Sequence, residues 1–137
     1  MNPAVLDTSV AIAWYLEESF SSAARVWQDR LLEGRIRLLV PELHYLEFAN
    51  VLRTLTLRGG LTPRLASDIF ALHLDAPLET AEVDRHALLT TALEYGSTVY
   101  DAAFIGLAVS LDVPLITAER TTTAWVAKLG KKAVGIR

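Results

Sequence analysis

Short apolar runs alternate with longer amphipathic stretches along this chain, and that alternation restricts the fold more than any other feature. Ala4-Val5-Leu6, Ile36 to Val40, Leu78 to Val83, Pro114 to Thr117 and Ala133 to Ile136 read as strands. Between them, Val10 to Leu16, Ser21 or Ser22 to Leu32, Leu43 to Leu57, Thr62 to about Leu74, Asp84 to Tyr95, Asp101 to Leu111 and Glu119 to Leu129 read as helices. Helix stops stand where such helices should end, at Gly34, Gly59-Gly60 and Gly96, and Pro41 suits a helix start. Strands alternating with helices imply parallel pairing through right-handed crossovers. The expected fold is α/β, a three-layer α/β/α sandwich with a four- to five-stranded, mainly parallel sheet. Neither a repeat nor a linker interrupts the pattern, so residues 1–137 read as one domain.

Composition excludes several classes of function. The chain has no cysteine, which removes disulfide scaffolds, cysteine-type zinc sites and iron–sulfur clusters. With 52% hydrophobic residues and a net charge of −3, it is far from the disordered class. Aromatic residues make up only 8%, too few for a platform that stacks single-stranded bases. The longest charge-free run, Ala102 to Leu111, is about half the roughly 20 residues that a bilayer crossing takes. Met1-Asn2-Pro3 has no basic leader region, and Asp7 interrupts the first apolar run. The expectation is a soluble, cytoplasmic protein without membrane contact. A mean hydropathy of +0.31 is high for a lone soluble domain. It points to a covered protein–protein interface or to a sheet buried on both faces.

Ligands of open parallel sheets bind beyond the carboxyl ends of the strands, and acids fall there. Asp7 ends the first strand, Glu119 follows Leu115-Ile116, and Asp101 opens a helix after Ser97-Thr98-Val99-Tyr100. Each has a plain reading too: Asp7 as the cap of the Val10 helix, Asp101 as an acid favoured by the helix dipole. Glu47, Asn50, Thr54 and Arg58 form a narrow polar stripe on one helix, flanked by Leu43, Val51, Leu46 and Leu57; a solvated helix face is the alternative. Clustered carboxylates repel, and a hard divalent cation is the usual remedy. Magnesium takes oxygen ligands, keeps several waters and needs one or two carboxylates. His44, near Glu47, reads as a surface or core histidine, so a transition-metal site is disfavoured. Phosphate-binding glycine loops, a nucleophile elbow and a cysteine nucleophile are all absent. Thr121-Thr122-Thr123 reads as the opening of a helix.

Taken in order, Val5-Leu6-Asp7-Thr8-Ser9, Glu47-Phe48-Ala49-Asn50, Tyr100-Asp101-Ala102 and Leu115-Ile116-Thr117-Ala118-Glu119 resemble the PIN-domain nucleases over essentially the whole chain. The length and order of elements look most like the VapC-type toxins of toxin–antitoxin pairs. The resemblance implies an endoribonuclease dependent on Mg2+, with Mn2+ as a substitute. It implies catalytic roles for Asp7, Glu47, Asp101 and Glu119, with Asp7 and Asp101 as metal ligands. Ser9, Asn50 and Thr117 match supporting polar positions. One departure stands out: the family usually has aspartate where this chain has Glu119, whose side chain is one methylene longer.

Hydrolysis of a phosphodiester follows from that pattern. A carboxylate-held ion lowers the pKa of bound water and offsets charge on the phosphoryl oxygens. Glu47 or Glu119 would orient the water or act as base. Arg58, on the stripe with Glu47, is the first candidate for substrate contact. Arg25, Arg30, Arg35, Arg37, Arg53, Arg64, Lys128, Lys131, Lys132 and Arg137 could add a phosphate-holding rim or be ordinary solvated charges. By resemblance the partners are an RNA substrate, a cognate antitoxin and a second copy in a homodimer, with Trp14, Tyr15 and Phe20 as interface candidates or core aromatics. A PIN-like domain that binds RNA or a protein without cutting is the main alternative. Maturation of ribosomal RNA is a further role for the same chemistry. A receiver-type module would need paired acids before its phosphorylated aspartate, which Met1 and Asn2 do not supply, and a lysine near the last strand, whereas the nearest late lysines follow Gly130.

Overall fold

A computed structural model describes residues 2–137. Met1, part of the Met1-Asn2-Pro3 stretch read above as lacking a basic leader, lies outside the described residues. The elements run β1 (Asn2–Leu6), α1 (Thr8–Ile12), α2 (Ser21–Leu32), β2 (Ile36–Val40), α3 (Leu43–Leu57), α4 (Pro63–Leu74), β3 (Glu79–Thr80), α5 (Arg85–Tyr95), α6 (Val99–Leu111), β4 (Leu115–Thr117), α7 (Ala124–Leu129) and β5 (Ala133–Gly135). The five strands form one sheet in the order β3-β2-β1-β4-β5, and every pairing is parallel. The α/β sandwich expected from the alternation is the fold.

Strand pleating distributes the core over both faces. Ala4, Leu6, Leu38, Val40 and Ile116 point into a cluster closed by α1, α2, α3 and α4. Their neighbours Val5, Leu39 and Leu115 point the other way, against α5, α6 and α7. A sheet buried on both faces needs continuous apolar strands, which explains much of the high hydropathy. The rest lies on the helices, where Leu46, Leu57, Leu72, Leu89 and Leu93 are exposed. Among the described residues, no helix is long and apolar enough to cross a membrane.

Several boundaries differ from the sequence expectation, each for a local reason. The first helix is α1, ending at Ile12 instead of running to Leu16, and Leu16 instead accepts the Ser21 hydroxyl at 3.0 Å. Ser21 therefore ties down the preceding turn and does not cap α2; Phe20 holds the cap position. The strand expected over Leu78 to Val83 shrinks to β3, an edge strand anchored by the paired contacts of Arg37 with Glu79 at 2.8 Å. Helix α6 starts two residues early because the Thr98 hydroxyl accepts the amide of Asp101 at 3.0 Å. Helix α7 starts five residues late, so Glu119 is in a loop. The Thr117 hydroxyl takes the Glu119 amide at 3.0 Å, and such side-chain bonds compete with helix. Thr123 holds the cap position of α7 and Thr121-Thr122 precede it in a turn.

Order along the sheet also places the site. From β1 the chain winds outward through β2 and β3, then returns to put β4 on the other side of β1. The carboxyl ends of β1 and β4 therefore flank a topological switch point, where such sheets open a crevice.

Candidate active site

Asp7 follows the last residue of β1, and its amide donates to the Ile116 carbonyl at 2.9 Å. Its backbone opens α1, with its carbonyl accepting from Val10 at 3.0 Å, yet its side chain makes no cap bond. The carboxylate instead takes the Thr117 hydroxyl at 2.7 Å. Helix capping thus does not explain this acid. Burial pushes its pKa up to about 6, the charges of Asp101 and Glu119 add to the rise, and the Thr117 and Ser9 hydroxyls oppose it.

Glu47 projects from the second turn of α3, partly buried, and accepts the Thr8 hydroxyl on Oε1 at 2.9 Å. Burial raises its pKa, with Asp7 and Asp101 contributing and Thr8 counteracting. Asp101, in the first turn of α6, is also raised, chiefly by burial, and Thr98 counteracts. Glu119 is exposed in the loop after β4. All four acids line one cavity of about 330 Å³, together with Thr8 and Ser9. Beyond burial, neighbouring acids add to the rise at Asp7 and at Glu47, the signature of uncompensated negative charge.

Supporting positions divide. Thr117 binds Asp7, and the Ser9 hydroxyl accepts the Ala118 amide at 3.3 Å, pinning the loop that carries Glu119. Asn50 is exposed and does not line the cavity. Arg58 is the exposed C-cap of α3, eleven residues and so about 16 Å along the helix from Glu47. The stripe is real as a helical row, but it leads away from the acids, and Leu46 and Leu57 beside it are exposed rather than buried. Trp14 is a core residue whose indole donates to the Ala24 carbonyl at 2.9 Å, and the Tyr15 hydroxyl turns inward onto His73. Of the two readings open for Trp14, the core one describes it. Phe20 lines the acid cavity with Arg137 over its ring at 5.0 Å. His44 is a fully buried core histidine.

Three residues at the site escaped the sequence reading. Glu18 lines the cavity as a fifth acid, and no spacing signal marks it. Thr8 was visible only as a neighbour of Asp7. Arg120 lines an adjoining cavity of about 430 Å³ with Arg137, Ser19, Thr121 and Thr122. By contrast, Arg25, Arg35, Arg37, Arg64 and Lys132 sit in ion pairs on the surface. A larger hollow, about 610 Å³, opens at the opposite end of the sheet near Pro3, Arg30 and Pro114, with no cluster of acids.

Among the described residues, no three His, Cys, Asp or Glu side chains converge closely enough to encage a metal ion. The donors facing the cavity are all oxygens, however. Such a set suits a hard cation that keeps most of its waters and takes only one or two carboxylates.

The PIN-domain family model matches residues 4–123, which span every acid of the cavity. The chain belongs to the PIN-domain family. PIN domains are typically nucleases. The crystal structure of PAE2754 from Pyrobaculum aerophilum is similar in fold, with a TM-score of 0.73 at 22% identity, covering 98% of this chain and 84% of that one. The sequence matches no curated protein. Within this PIN domain, α7 and β5 both lie beyond the family match, and β5 forms the edge of the sheet beside β4.

Proposed function

We propose that this PIN domain is a metal-dependent endoribonuclease acting as the toxin of a toxin–antitoxin pair. The observation that carries the reading is the convergence of Asp7, Glu47, Asp101 and Glu119 on one cavity at the switch point of the sheet. Asp7 and Asp101 would hold Mg2+, or Mn2+ in its place. When bound, the ion supplies Lewis-acid stabilisation of the phosphoryl oxygens and a more acidic water. Thr117 fixes Asp7 by donating to its carboxylate, so the acid meets a ligand without reorganising. Glu47, held on one oxygen by Thr8, orients the attacking water or takes its proton with the other. Glu119 is solvent-exposed on a loop, and it serves the same end of the reaction from there. Glu119→Gln is expected to lower cleavage by about tenfold, measured as kcat on one RNA in excess Mg2+, whereas Glu119→Asp should retain most of it.

Arg120 and Arg137 offer the substrate-binding surface that Arg58 does not. They line the cavity next to the acids, and Phe20 joins the two spaces. Phosphates of a bound strand would rest there, while the scissile one faces the carboxylates. Arg120→Ala and Arg137→Ala are each expected to raise KM severalfold and to flatten its salt dependence by about one phosphate contact. Arg58→Ala should leave both unchanged.

Exposed Leu57, Leu65 and Leu72 on the α3–α4 pair support a homodimer or antitoxin contact on that face. The competing reading, a PIN domain that binds RNA or a protein partner without cutting, rests on Glu119 standing where the family usually has aspartate. Cleavage of structured RNA with Mg2+, with Mn2+ and with chelator separates the two. Cutting that needs metal supports the nuclease; binding without cutting in either metal establishes the rival.

A further inference from the structure

His44 on α3 and His73 on α4 are fully buried, with their Nε2 atoms 2.7 Å apart. On the outer side, His73 Nδ1 lies 2.8 Å from the Tyr15 hydroxyl. On the inner side, His44 Nδ1 lies 2.9 Å from the Thr8 hydroxyl, which reaches Glu47 Oε1 at the same distance. Burial lowers the pKa of His44 to about 3 and that of His73 to about 4, so both rings are neutral and each carries one N–H. Phe48 stacks on His73 with ring centroids 4.0 Å apart and 9° between planes, which holds the ring against rotation.

Proton counting along this row allows one arrangement while Glu47 is ionised. A carboxylate only accepts, so Thr8 spends its single proton on Glu47. His44 must then donate to Thr8 from Nδ1, leaving its Nε2 bare. His73 donates to that nitrogen from its own Nε2, leaving its Nδ1 bare for the Tyr15 O–H. Among the described residues no buried side-chain polar atom lacks a partner. Reversing the row would require a proton on Glu47.

We propose that Tyr15, His73, His44 and Thr8 are positioning residues, a one-way row of hydrogen bonds through the packed faces of α3 and α4 that fixes the orientation of the Glu47 carboxylate. Its catalytic meaning rests on the nuclease reading; its existence rests on the bonding alone. The row makes the tautomers of two buried histidines part of the active site, although neither ring lines the cavity.

The test labels the histidines with 15N and reads their tautomers by NMR near neutral pH, then compares variants. His44 is expected as the Nδ1–H form and His73 as the Nε2–H form. Tyr15→Phe removes only the outermost donor. It should leave both tautomers in place, because Glu47 dictates them from the other end, while shifting the His73 Nδ1 resonance and the Glu47 side-chain carboxyl resonance, with the fold intact by circular dichroism. Thr8→Val should lower kcat by about tenfold or more with KM within twofold, and Thr8→Ser should restore it. The opposite tautomers in the unaltered protein, or a His73 Nδ1 signal and a Glu47 signal both indifferent to Tyr15→Phe, overturn the row. Expected tautomers with an unchanged kcat in Thr8→Val overturn its positioning role. Expected tautomers in a protein that cuts no RNA leave the row standing and refute the nuclease instead.

Discussion

Asp101→Asn protein is expected to cut RNA at least about a hundredfold more slowly than the unaltered chain, in Mg2+ and in Mn2+ alike. A carboxylate that holds the cation underwrites several kcal/mol of transition-state charge stabilisation, and each 1.4 kcal/mol is about tenfold in rate. The substitution is clean because the helix start does not depend on the charge. Thr98 accepts from the backbone amide of Asp101, which asparagine also has. The fold should therefore survive, with a melting temperature within a few degrees of the original. Cleavage that persists at the original rate and keeps its metal dependence would remove Asp101 from the site and point to contaminating nuclease.

Asp7→Asn should raise the stability of the metal-free protein. The carboxyl of Asp7 titrates near 6 because of burial first, and the charges of Asp101 and Glu119 second. Its folded-state value lies above the unfolded one of 3.8, so the folded chain holds the proton over that interval. Stability of the metal-free protein therefore falls as pH rises from about 4 through about 6, and is flat above. The full shift corresponds to about 3 kcal/mol; partial access to solvent reduces this to about 2 kcal/mol. Asparagine removes the charge and can keep the Thr117 hydrogen bond through its carbonyl oxygen. With chelator at pH 7.5, Asp7→Asn should melt about 8 °C higher and lose most of the pH dependence. Added Mg2+ should raise the melting temperature of the unaltered protein and not that of the variant. A variant less stable than the original at pH 7.5 would mean that the Asp7 charge is already compensated.

The architecture was legible because its signals are local and repeated. Apolar runs of strand length, caps and glycine stops recur along the chain, and Gly96 does adopt the left-handed conformation that ends α5. The three acids that the structure brings deepest, Asp7, Glu47 and Asp101, each sit at a place where an element begins or a polar stripe crosses an apolar face. Boundaries failed where side chains compete for backbone groups. The Thr117 hydroxyl turns Glu119 out of a helix, and Ser21 ties down a turn in place of capping. Arg58 stands apart from the acids for a different reason. A helical wheel preserves angle but discards distance along the axis, and three turns separate it from Glu47. The pairing of His44 with His73 joins residues 29 apart through the contact of α3 with α4, and no periodicity encodes it.

Both edges of the sheet are minimal. β3 offers two residues and β5 three, and the first edge carries the Arg37–Glu79 ion pair. A free edge that short and that charged gives a second chain almost no ladder to extend. A protein with 52% hydrophobic residues would otherwise be a candidate for strand-by-strand aggregation when concentrated. Here that route is narrowed by geometry, and the apolar surface left open is that of the exposed leucines on its helices, which offer no backbone ladder to template growth.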